Sequence, residues 1–417
     1  MFLKSLYSVI LLACSFIGLG LSEIPTRNHK ESSQNVPDFT VEKAVKVFDD
    51  AIALTLKHLV DPKFDPTSWQ KKVEASRVGL KAGFSGSPNK EEFLGFVINS
   101  LLKKTESIEP QFFSQDDYEF WLLRSIYSSS LEASDQYAVQ HAGTWFERKG
   151  KRWFLRGIWN DKVSLESGLL PGDEILTLNE ESFSPRNLLQ KKLKHGVNLS
   201  FKRTPFEKPR TVSVFLREEN LERAFLKAVK DTARVYERGR KKIGYCRLWL
   251  ISRDDFLTAL NEQLKQFKGK SVDGLILDLR DGFGSADYAK FLVPFLGKES
   301  NKGQKEELPL FSQPMIVLIN KGTQSGKEWM AYHLQNSQRA YLVGTKTAGS
   351  GATAELFLIP PQFMLYFPGA DKSREELLKS IPFEGKGITP DVVVDQPLVY
   401  AAGTDLQLDK ALELLSL

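Results

Sequence analysis

Apolar residues along this chain follow a helical period in the N-terminal part and short strand-like runs further on. Between Phe39 and Ser130 they recur about every 3.6 positions, and helices are predicted over Glu91 to Lys104 and Tyr118 to Tyr127. From residue 140 to 217 the apolar runs are short and separated by turn signals, as in Trp153 to Ile158, which predicts β-strands.

From about residue 218 onward, predicted strands alternate with predicted helices. The predicted strands are Ile243 to Ile251, Gly274 to Leu279, Met315 to Ile319, Ala340 to Val343 and Val392 to Val394. The predicted helices are Asp254 to Phe267, Ala286 to Leu296 and Glu328 to Leu334. This alternation predicts a mainly parallel sheet with helices on its faces, and hence an α+β multidomain protein.

The first 38 residues differ from the rest. Lys4 is followed by an almost uncharged apolar run from Ser5 to Leu21, which predicts a signal peptide over residues 1–22 and an exported protein, periplasmic or secreted. The run is short for a membrane span, so none is expected after the signal is removed. Lipoprotein anchoring through Cys14 is the alternative. Residues 23–38 are polar and predict a linker.

Composition argues against several functional classes. The chain has 417 residues and a formal net charge of +5, with no dense basic cluster interleaved with aromatics, so a nucleic-acid partner is not expected. The five histidines show no paired ligand spacing, and we expect neither a metal nor another cofactor.

A serine lies where the chain turns from a buried strand into a helix. Ser325 stands in the segment Asn320-Lys321-Gly322-Thr323-Gln324-Ser325-Gly326-Lys327-Glu328, after the apolar run that ends at Ile319. Such a turn presents a hydroxyl beside a helix N-terminus, where free N–H groups favour the negative charge formed when a serine attacks a carbonyl. An ordinary loop serine is the alternative.

The segment over residues 167–179 resembles a known domain. Ser167-Gly168-Leu169-Leu170-Pro171-Gly172-Asp173-Glu174-Ile175-Leu176-Thr177-Leu178-Asn179 is similar to a stretch of the PDZ domains of bacterial proteases. The resemblance implies a PDZ-like domain over residues 140–217, whose groove would bind an extended peptide at a sheet edge.

Four later segments, in order, resemble the tail-specific, or C-terminal processing, serine protease family. They are Asp278-Leu279-Arg280-Asp281-Gly282-Phe283-Gly284-Ser285, the Ser325 segment, residues 339–349, and Glu384-Gly385-Lys386-Gly387-Ile388-Thr389-Pro390-Asp391. The helical period of the N-terminal part predicts a helical domain over residues 39–139, and the resemblance implies a ClpP/crotonase-like α/β protease core over 218–417. It also implies that Ser325 is the nucleophile and that Gly284 and Gly326 form the oxyanion hole.

The base departs from the commonest pattern of this family. Many members place a lysine where this chain has Ser350, and neither Lys346 nor Lys327 matches that position. The Ser–His–Glu branch carries a histidine before its PDZ-like block and an acid before its last motif. His141, in His141-Ala142-Gly143, and Glu384 stand at these places. The resemblance therefore implies a Ser325–His141–Glu384 triad.

Two interpretations of the histidine and two of the function stay open. A rival alignment puts Gln111 at the histidine position, and His141 would then be structural. The first function is a secreted serine endopeptidase that cuts extended or C-terminal segments of proteins or peptides. The second is a catalytically inactive peptide-binding protein on the same scaffold. Homo-oligomerisation is left open.

Overall fold

A computed structural model describes residues 39–417 except 60–63, 88, 104–109, 160–165, 190–192, 194–195, 298–307, 361 and 371. The predicted signal peptide with Cys14 and the predicted linker lie outside the described residues. Residues Val41–Leu417 form one compact unit. Within the described part, we find no helix with both the length and the apolar character that crossing a membrane requires.

The helices of the described residues have the following bounds: α1 Val41–His58, α2 Pro66–Phe84, α3 Lys90–Leu102, α4 Tyr118–Ile126, α5 Leu131–Ser134, α6 Pro185–Leu189, α7 Leu221–Asp231, α8 Asp254–Gly269, α9 Val293–Leu296, α10 Gly326–Asn336, α11 Arg374–Ser380 and α12 Leu406–Ser416. Two 3₁₀ helices cover Asp135–Tyr137 and Ala286–Leu292.

The strands have the following bounds: β1 Gln111–Ser114, β2 Val139–His141, β3 Thr144–Lys149, β4 Arg152–Ile158, β5 Glu174–Leu178, β6 Glu181–Ser182, β7 Gly196–Lys202, β8 Arg210–Phe215, β9 Arg217–Glu219, β10 Arg234–Arg238, β11 Lys241–Arg247, β12 Gly274–Asp278, β13 Met315–Ile319, β14 Tyr341–Gly344, β15 Ala354–Ile359, β16 Phe363–Pro368 and β17 Val392–Val393.

The N-terminal helices are stabilised by a buried apolar face and by N-terminal capping. Helix α1 buries Val47, Phe48 and Ile52 on one face. Helix α2 begins with Pro at its first position and is capped by Asp65, whose side chain accepts from the Thr67 N–H at 2.9 Å. Cap and stripe together specify where these helices begin and which face they bury.

The region predicted as helical also contains a strand that the periodicity missed. Strand β1 pairs antiparallel with β16, and β15 completes a three-stranded sheet. In this register Gln111 lies opposite Tyr366. Strand β1 therefore ties the region predicted as helical directly to the C-terminal third of the chain.

The strands β3 to β8 form an antiparallel sheet in the order β3-β4-β5-β7-β8, with β6 paired to β5. Strand β3 is at one edge of this sheet. Outside it, β2 pairs with β9, which brings His141 opposite Arg217. The predicted domain boundaries at 139/140 and 217/218 stay predictions, and both fall at this β2–β9 ribbon.

The largest parallel arrangement is a six-stranded sheet in the order β10-β11-β12-β13-β14-β17. Only the β10–β11 pair is antiparallel. Strands β12 and β13 are buried at every position, as expected for central parallel strands covered on both faces. The predicted α+β class and the predicted parallel sheet are confirmed.

Two predicted elements differ in extent or type. The predicted strand Ile243 to Ile251 ends at Arg247, because the chain bends at Trp249, just after the Leu248 N–H donates to the Asp278 carbonyl at 3.0 Å. The predicted helix Ala286 to Leu296 begins as a 3₁₀ helix and becomes α-helical only from Val293. The first difference matters for the site, because it exposes the Trp249 carbonyl to a side chain from α10.

Candidate active site

Ser325 occupies a strained turn between β13 and α10. Its φ of 55° and ψ of −125° lie outside the regions that non-glycine residues usually adopt. The turn is fastened by Thr323, whose hydroxyl accepts from the Asn320 N–H and donates to the Leu279 carbonyl, both at 3.0 Å. A strained residue persists only where its surroundings hold it, so these contacts stabilise the unusual backbone conformation of Ser325.

The buried carboxylate of Glu328 holds the Ser325 turn against a neighbouring loop. It accepts from the N–H groups of Ser325 at 3.2 Å, Gly349 at 2.7 Å and Ser350 at 2.8 Å, and from the Thr347 hydroxyl. The Ser325 N–H also donates to the Ser350 carbonyl at 3.0 Å. Ser350, which stands at the position of the lysine in many family members, is therefore a direct backbone neighbour of the serine.

The two glycines predicted to form the oxyanion hole are in direct contact. The Gly326 N–H donates to the Gly284 carbonyl at 3.0 Å, and a Cβ on Gly326 would lie 2.1 Å from the Ser285 carbonyl oxygen. No residue with a side chain fits there. The Gly326 N–H, which the prediction assigns to the oxyanion, is thus bonded to the Gly284 carbonyl. The predicted oxyanion hole is therefore closed in this conformation.

Lys327 supports, from the protein interior, the loop over residues 281–285 that contains Gly282 and Gly284, called the glycine-containing loop below. Its ammonium donates to the carbonyls of Asp281 at 2.6 Å and Trp249 at 3.2 Å, and the residue is 0% exposed. Burial, with a further contribution from Arg247, lowers the pKa of Lys327 to about 7. Within the described residues no hydrogen bond joins it to Ser325. Lys327 is therefore a positioning residue for this loop.

Asp281, which begins the glycine-containing loop, is itself anchored from three sides. Its φ is 55°. Its carboxylate pairs with Arg156 of strand β4, with Arg247 at 3.2 Å and with the Asn320 amide at 3.0 Å. Burial would raise the pKa of this carboxyl, but the two guanidinium groups hold it below its ordinary value.

His141 is buried in an aromatic environment and does not contact Ser325. Its Nδ1 accepts from the Gly143 N–H at 3.0 Å, its ring lies 5.4 Å from that of Trp159, and its Nε2 is 3.6 Å from Glu219 Oε1. Burial and the nearby Arg217 lower the pKa of His141 to about 4, so the ring is neutral at pH 7. Because Nδ1 is an acceptor, Nε2 carries the proton.

Glu384 binds a segment of backbone that is next to a hydrogen-bonding partner of Ser325. One of its carboxylate oxygens accepts from the N–H groups of Gly351 at 2.8 Å and Ala352 at 3.2 Å. The adjacent Ser350 is the residue whose carbonyl binds the Ser325 N–H. In the described part of the chain, His141 makes no hydrogen bond to Ser325 or to Glu384, so the predicted triad is not assembled and stays a prediction.

Tyr366 on β16 is a neighbour of this site that the sequence did not indicate. Its ring centroid is 6.0 Å from that of Phe283, which stands just before Gly284. Burial raises the pKa of Tyr366, and the negative charges of Glu384 and Glu328 add to that effect. The Gln111 of the rival alignment lies opposite Tyr366, so that alignment also leads to this neighbourhood.

Across the described residues, no group of three or more His, Cys, Asp or Glu side chains is arranged to hold a metal ion. The side chains of the candidate site supply a hydroxyl, an imidazole, carboxylates and a buried amine.

Comparison with known proteins agrees on one family. Residues 242–394 match the model of Peptidase family S41. A carboxyl-terminal-processing protease of Synechocystis sp. is 31% identical over 193 residues, which cover 42% of this chain and 44% of that protein. A carboxyl-terminal-processing protease of Picosynechococcus sp. is 29% identical over 275 residues, which cover 60% of this chain and 63% of that protein. The chain thus spans about half of the length of these two relatives.

Solved structures show a similarity across most of the chain. A photosystem II D1 C-terminal processing protease has 16% identity and a TM-score of 0.45, covering 87% of this chain and 98% of that one. Mature CPAF complexed with lactacystin has 13% identity and a TM-score of 0.46, covering 89% and 98%. At these TM-scores neither structure is informative about the site. Over residues 242–394, this chain is similar to peptidase family S41.

Proposed function

We propose that this protein is a serine endopeptidase that cuts polypeptides through an acyl-enzyme on Ser325. The observation that carries the proposal is the strained backbone of Ser325 at the start of α10, inside the segment that matches the peptidase family. Attack by Ser325 Oγ forms a bond to the scissile carbonyl carbon and breaks the C–N bond, and water then hydrolyses the ester. Strain and a helix N-terminus at one residue favour a nucleophile over a loop serine.

His141 is our proposed base, taking the Ser325 proton and returning it to the leaving amine. The sequence resemblance supports this role, and a neutral imidazole at pH 7 is the form that can accept a proton. Reaching Ser325 requires His141 to leave the Gly143 N–H that now occupies Nδ1. Glu384 is the proposed orienting acid, and Glu219, 3.6 Å from Nε2, is the competing one.

The proposed oxyanion hole needs one further change. Rotation of the Gly284–Ser285 peptide would remove the Gly284 carbonyl from the Gly326 N–H and free that donor for the substrate oxyanion. Each such donor contributes about 3 kcal/mol to transition-state stabilisation in serine proteases. We infer that the described conformation is a resting one and that substrate binding favours the open one.

For the substrate we propose extended or C-terminal segments of proteins. The printed names of the relatives, carboxyl-terminal-processing proteases, support cleavage near chain ends. The residues 140–217, proposed as PDZ-like, present β3 as an edge strand to which an extended chain can add. Export to the periplasm or beyond follows from the predicted signal peptide and belongs to the same proposal.

Hydrolysis of a fluorescently labelled unfolded protein tests the proposal. We expect Ser325→Ala and His141→Ala to lose activity while keeping the far-UV circular dichroism of the wild type. Glu384→Gln and Glu219→Gln form a matched pair, because each keeps its side chain's size while removing one negative charge. Loss in the first with retention in the second supports Glu384 as the acid, and the reverse pattern assigns Glu219. Full activity in Ser325→Ala would contradict the proposal.

A catalytically inactive peptide-binding protein is the second candidate. It is favoured by one observation, the absence of a hydrogen bond between Ser325 and any base among the described residues. The expected result for that function is binding of peptides without turnover, with wild type and Ser325→Ala indistinguishable.

A further inference from the structure

A cavity of about 330 Å³ lies beside the edge strand β3. On one side it is lined by Trp145 and Phe146 of β3, Trp153 of β4 and the beginning of α6. On the other side it is lined by residues of α3, β1 and the beginning of α4. It is large enough for a side chain of lysine or arginine size, and its walls carry both aromatic and polar groups.

Acidic side chains outnumber basic ones on the lining of this cavity. Five carboxylate residues line it against one arginine, Arg186. The five are Glu91, Glu92, Asp116, Asp117 and Glu119. Arg186 pairs with Asp116 at 2.8 Å and with Glu91 at 3.3 Å, and Arg148 from outside the lining pairs with Glu92. A chain-terminal carboxylate would meet like charges here, so the cavity disfavours the group that chain-end recognition would bring.

Two neighbouring polar groups of the lining lack a partner that would satisfy them. Glu119 makes no salt bridge within 4 Å to any residue that the structure describes, although its own N–H and the more distant charge of Arg156 act on its carboxylate. Tyr118 is 7% exposed, and its hydroxyl is buried without a hydrogen-bond partner in the described part of the molecule. Burial raises the pKa of Glu119 to about 7, and the charge of Asp117 adds to that effect. A buried hydroxyl without a partner costs about 1–3 kcal/mol, and a ligand recovers this cost only if it reaches the covered hydroxyl.

The aromatic side chains that line the cavity suit a positively charged ligand. The Arg148 guanidinium already lies 5.7 Å from the ring centroid of Trp153 at the edge of the cavity. Indole faces attract cations, and Trp145 adds a second indole to the lining of the cavity. An ammonium or guanidinium group on an apolar stem would satisfy the carboxylate, the hydroxyl and the rings together.

We propose that this cavity binds the side chain of a lysine or arginine in a polypeptide that lies along β3. The inference rests on the proposed function, because it takes the ligand to be a polypeptide, and it adds a side-chain preference to it. Glu119 would accept from the cation, Tyr118 would supply its unpartnered hydroxyl, and the two tryptophans would pack on the stem.

Peptide binding to the full chain carrying Ser325→Ala tests this proposal without any need for turnover. Fluorescence anisotropy would compare labelled eight-residue peptides that differ at one central position: lysine, arginine, norleucine or glutamate. We expect the lysine and arginine peptides to bind at least about tenfold more tightly than norleucine, since a charge-assisted hydrogen bond is lost. The glutamate peptide should bind most weakly. Equal affinity for lysine and norleucine would overturn the proposal.

Tyr118→Phe and Glu119→Gln in the same background locate the effect. Because the Tyr118 hydroxyl has no hydrogen-bond partner among the residues that the structure describes, its removal should leave the melting temperature unchanged or raised. The lysine preference should nevertheless fall several-fold. Glu237→Gln, which removes an exposed carboxylate far along the sequence on β10, is the matched control and should keep the preference. Retention of the preference in both cavity variants would also overturn the assignment.

Two further readouts separate this inference from its alternatives. Binding of n-butylammonium with no binding of any lysine peptide would overturn the assignment to a polypeptide and indicate a free amine. Ser325-dependent hydrolysis with no lysine preference would leave the proposed function intact and overturn only this inference. Lysine-selective binding without hydrolysis would support the cavity and contradict the proposed function.

Discussion

The buried lysine beside the candidate nucleophile should make stability depend on pH in a way that one substitution removes. Burial lowers the pKa of Lys327 from 10.5 to about 7, while in the unfolded chain it keeps the ordinary value. Between these two values the unfolded state binds more protons than the folded state. The free energy of unfolding therefore gains a term that rises with pH through this window.

The size of that term follows from the two pKa values. Between pH 7 and pH 9, the linkage relation gives a gain of about 2 kcal/mol in the free energy of unfolding from this one group. Lys327→Met keeps most of the side-chain volume and removes the titration. The free energy of unfolding of the wild type, minus that of Lys327→Met, should thus increase by about 2 kcal/mol from pH 7 to pH 9.

Urea-induced unfolding of both proteins at the two pH values measures this difference, and all other ionisable groups cancel in the subtraction. Lys346→Met, which removes an exposed lysine of the 345–350 loop, controls for the loss of one positive charge. A difference that stays constant between pH 7 and pH 9 would refute the reasoning. It would mean that Lys327 is not held in the dry environment between Trp249 and Asp281 that the structure gives it.

The remaining predictions concern the turn that carries Ser325. Gly326→Ala should abolish the reactivity of Ser325, because a Cβ there would lie 2.1 Å from the Ser285 carbonyl oxygen. Fluorophosphonate labelling measures this reactivity, and normal labelling of the variant would contradict the prediction. Glu328→Gln should lower the free energy of unfolding by about 2–4 kcal/mol and reduce labelling, because an amide nitrogen cannot accept from the N–H groups that the carboxylate now binds. Urea unfolding checks the first effect, and a change below about 0.5 kcal/mol would be inconsistent with the observed bonds.

Much of the parallel sheet could be predicted from the sequence because its signals are local. Strands β12 and β13 are continuous apolar runs, and each is followed by glycines and polar residues that mark a turn. The position of Ser325 on a strand-to-helix turn followed from the same local pattern. The strain at Ser325 is also local, but only coordinates reveal a φ of 55°.

The elements that escaped prediction depend on pairing between distant segments. Strand β1 is four residues long and is defined by β16, about 250 residues later. No periodicity can reveal such a partner. Tyr366 was missed for the same reason, because its place near Glu384 and Phe283 follows from the β1–β16–β15 sheet and not from its own surroundings in the sequence.

The partners of the candidate site residues were equally out of reach. The resemblance pairs His141 with Glu384, whereas the carboxylate that lies 3.6 Å from His141 Nε2 in the structure is that of Glu219. Lys327 failed to match a family position, yet its side chain donates to the carbonyl of Asp281, where the glycine-containing loop begins, and to that of Trp249. Which donor meets which acceptor is decided by tertiary packing.

The central claim is that Ser325 is an activated nucleophile. Incubation of the purified chain with a fluorophosphonate, followed by peptide mass mapping, tests it without knowledge of the substrate. The account predicts a single adduct on Ser325 that is absent from Ser325→Ala and lost in His141→Ala. Folded wild-type protein with no adduct on Ser325 would contradict the account and favour the peptide-binding alternative.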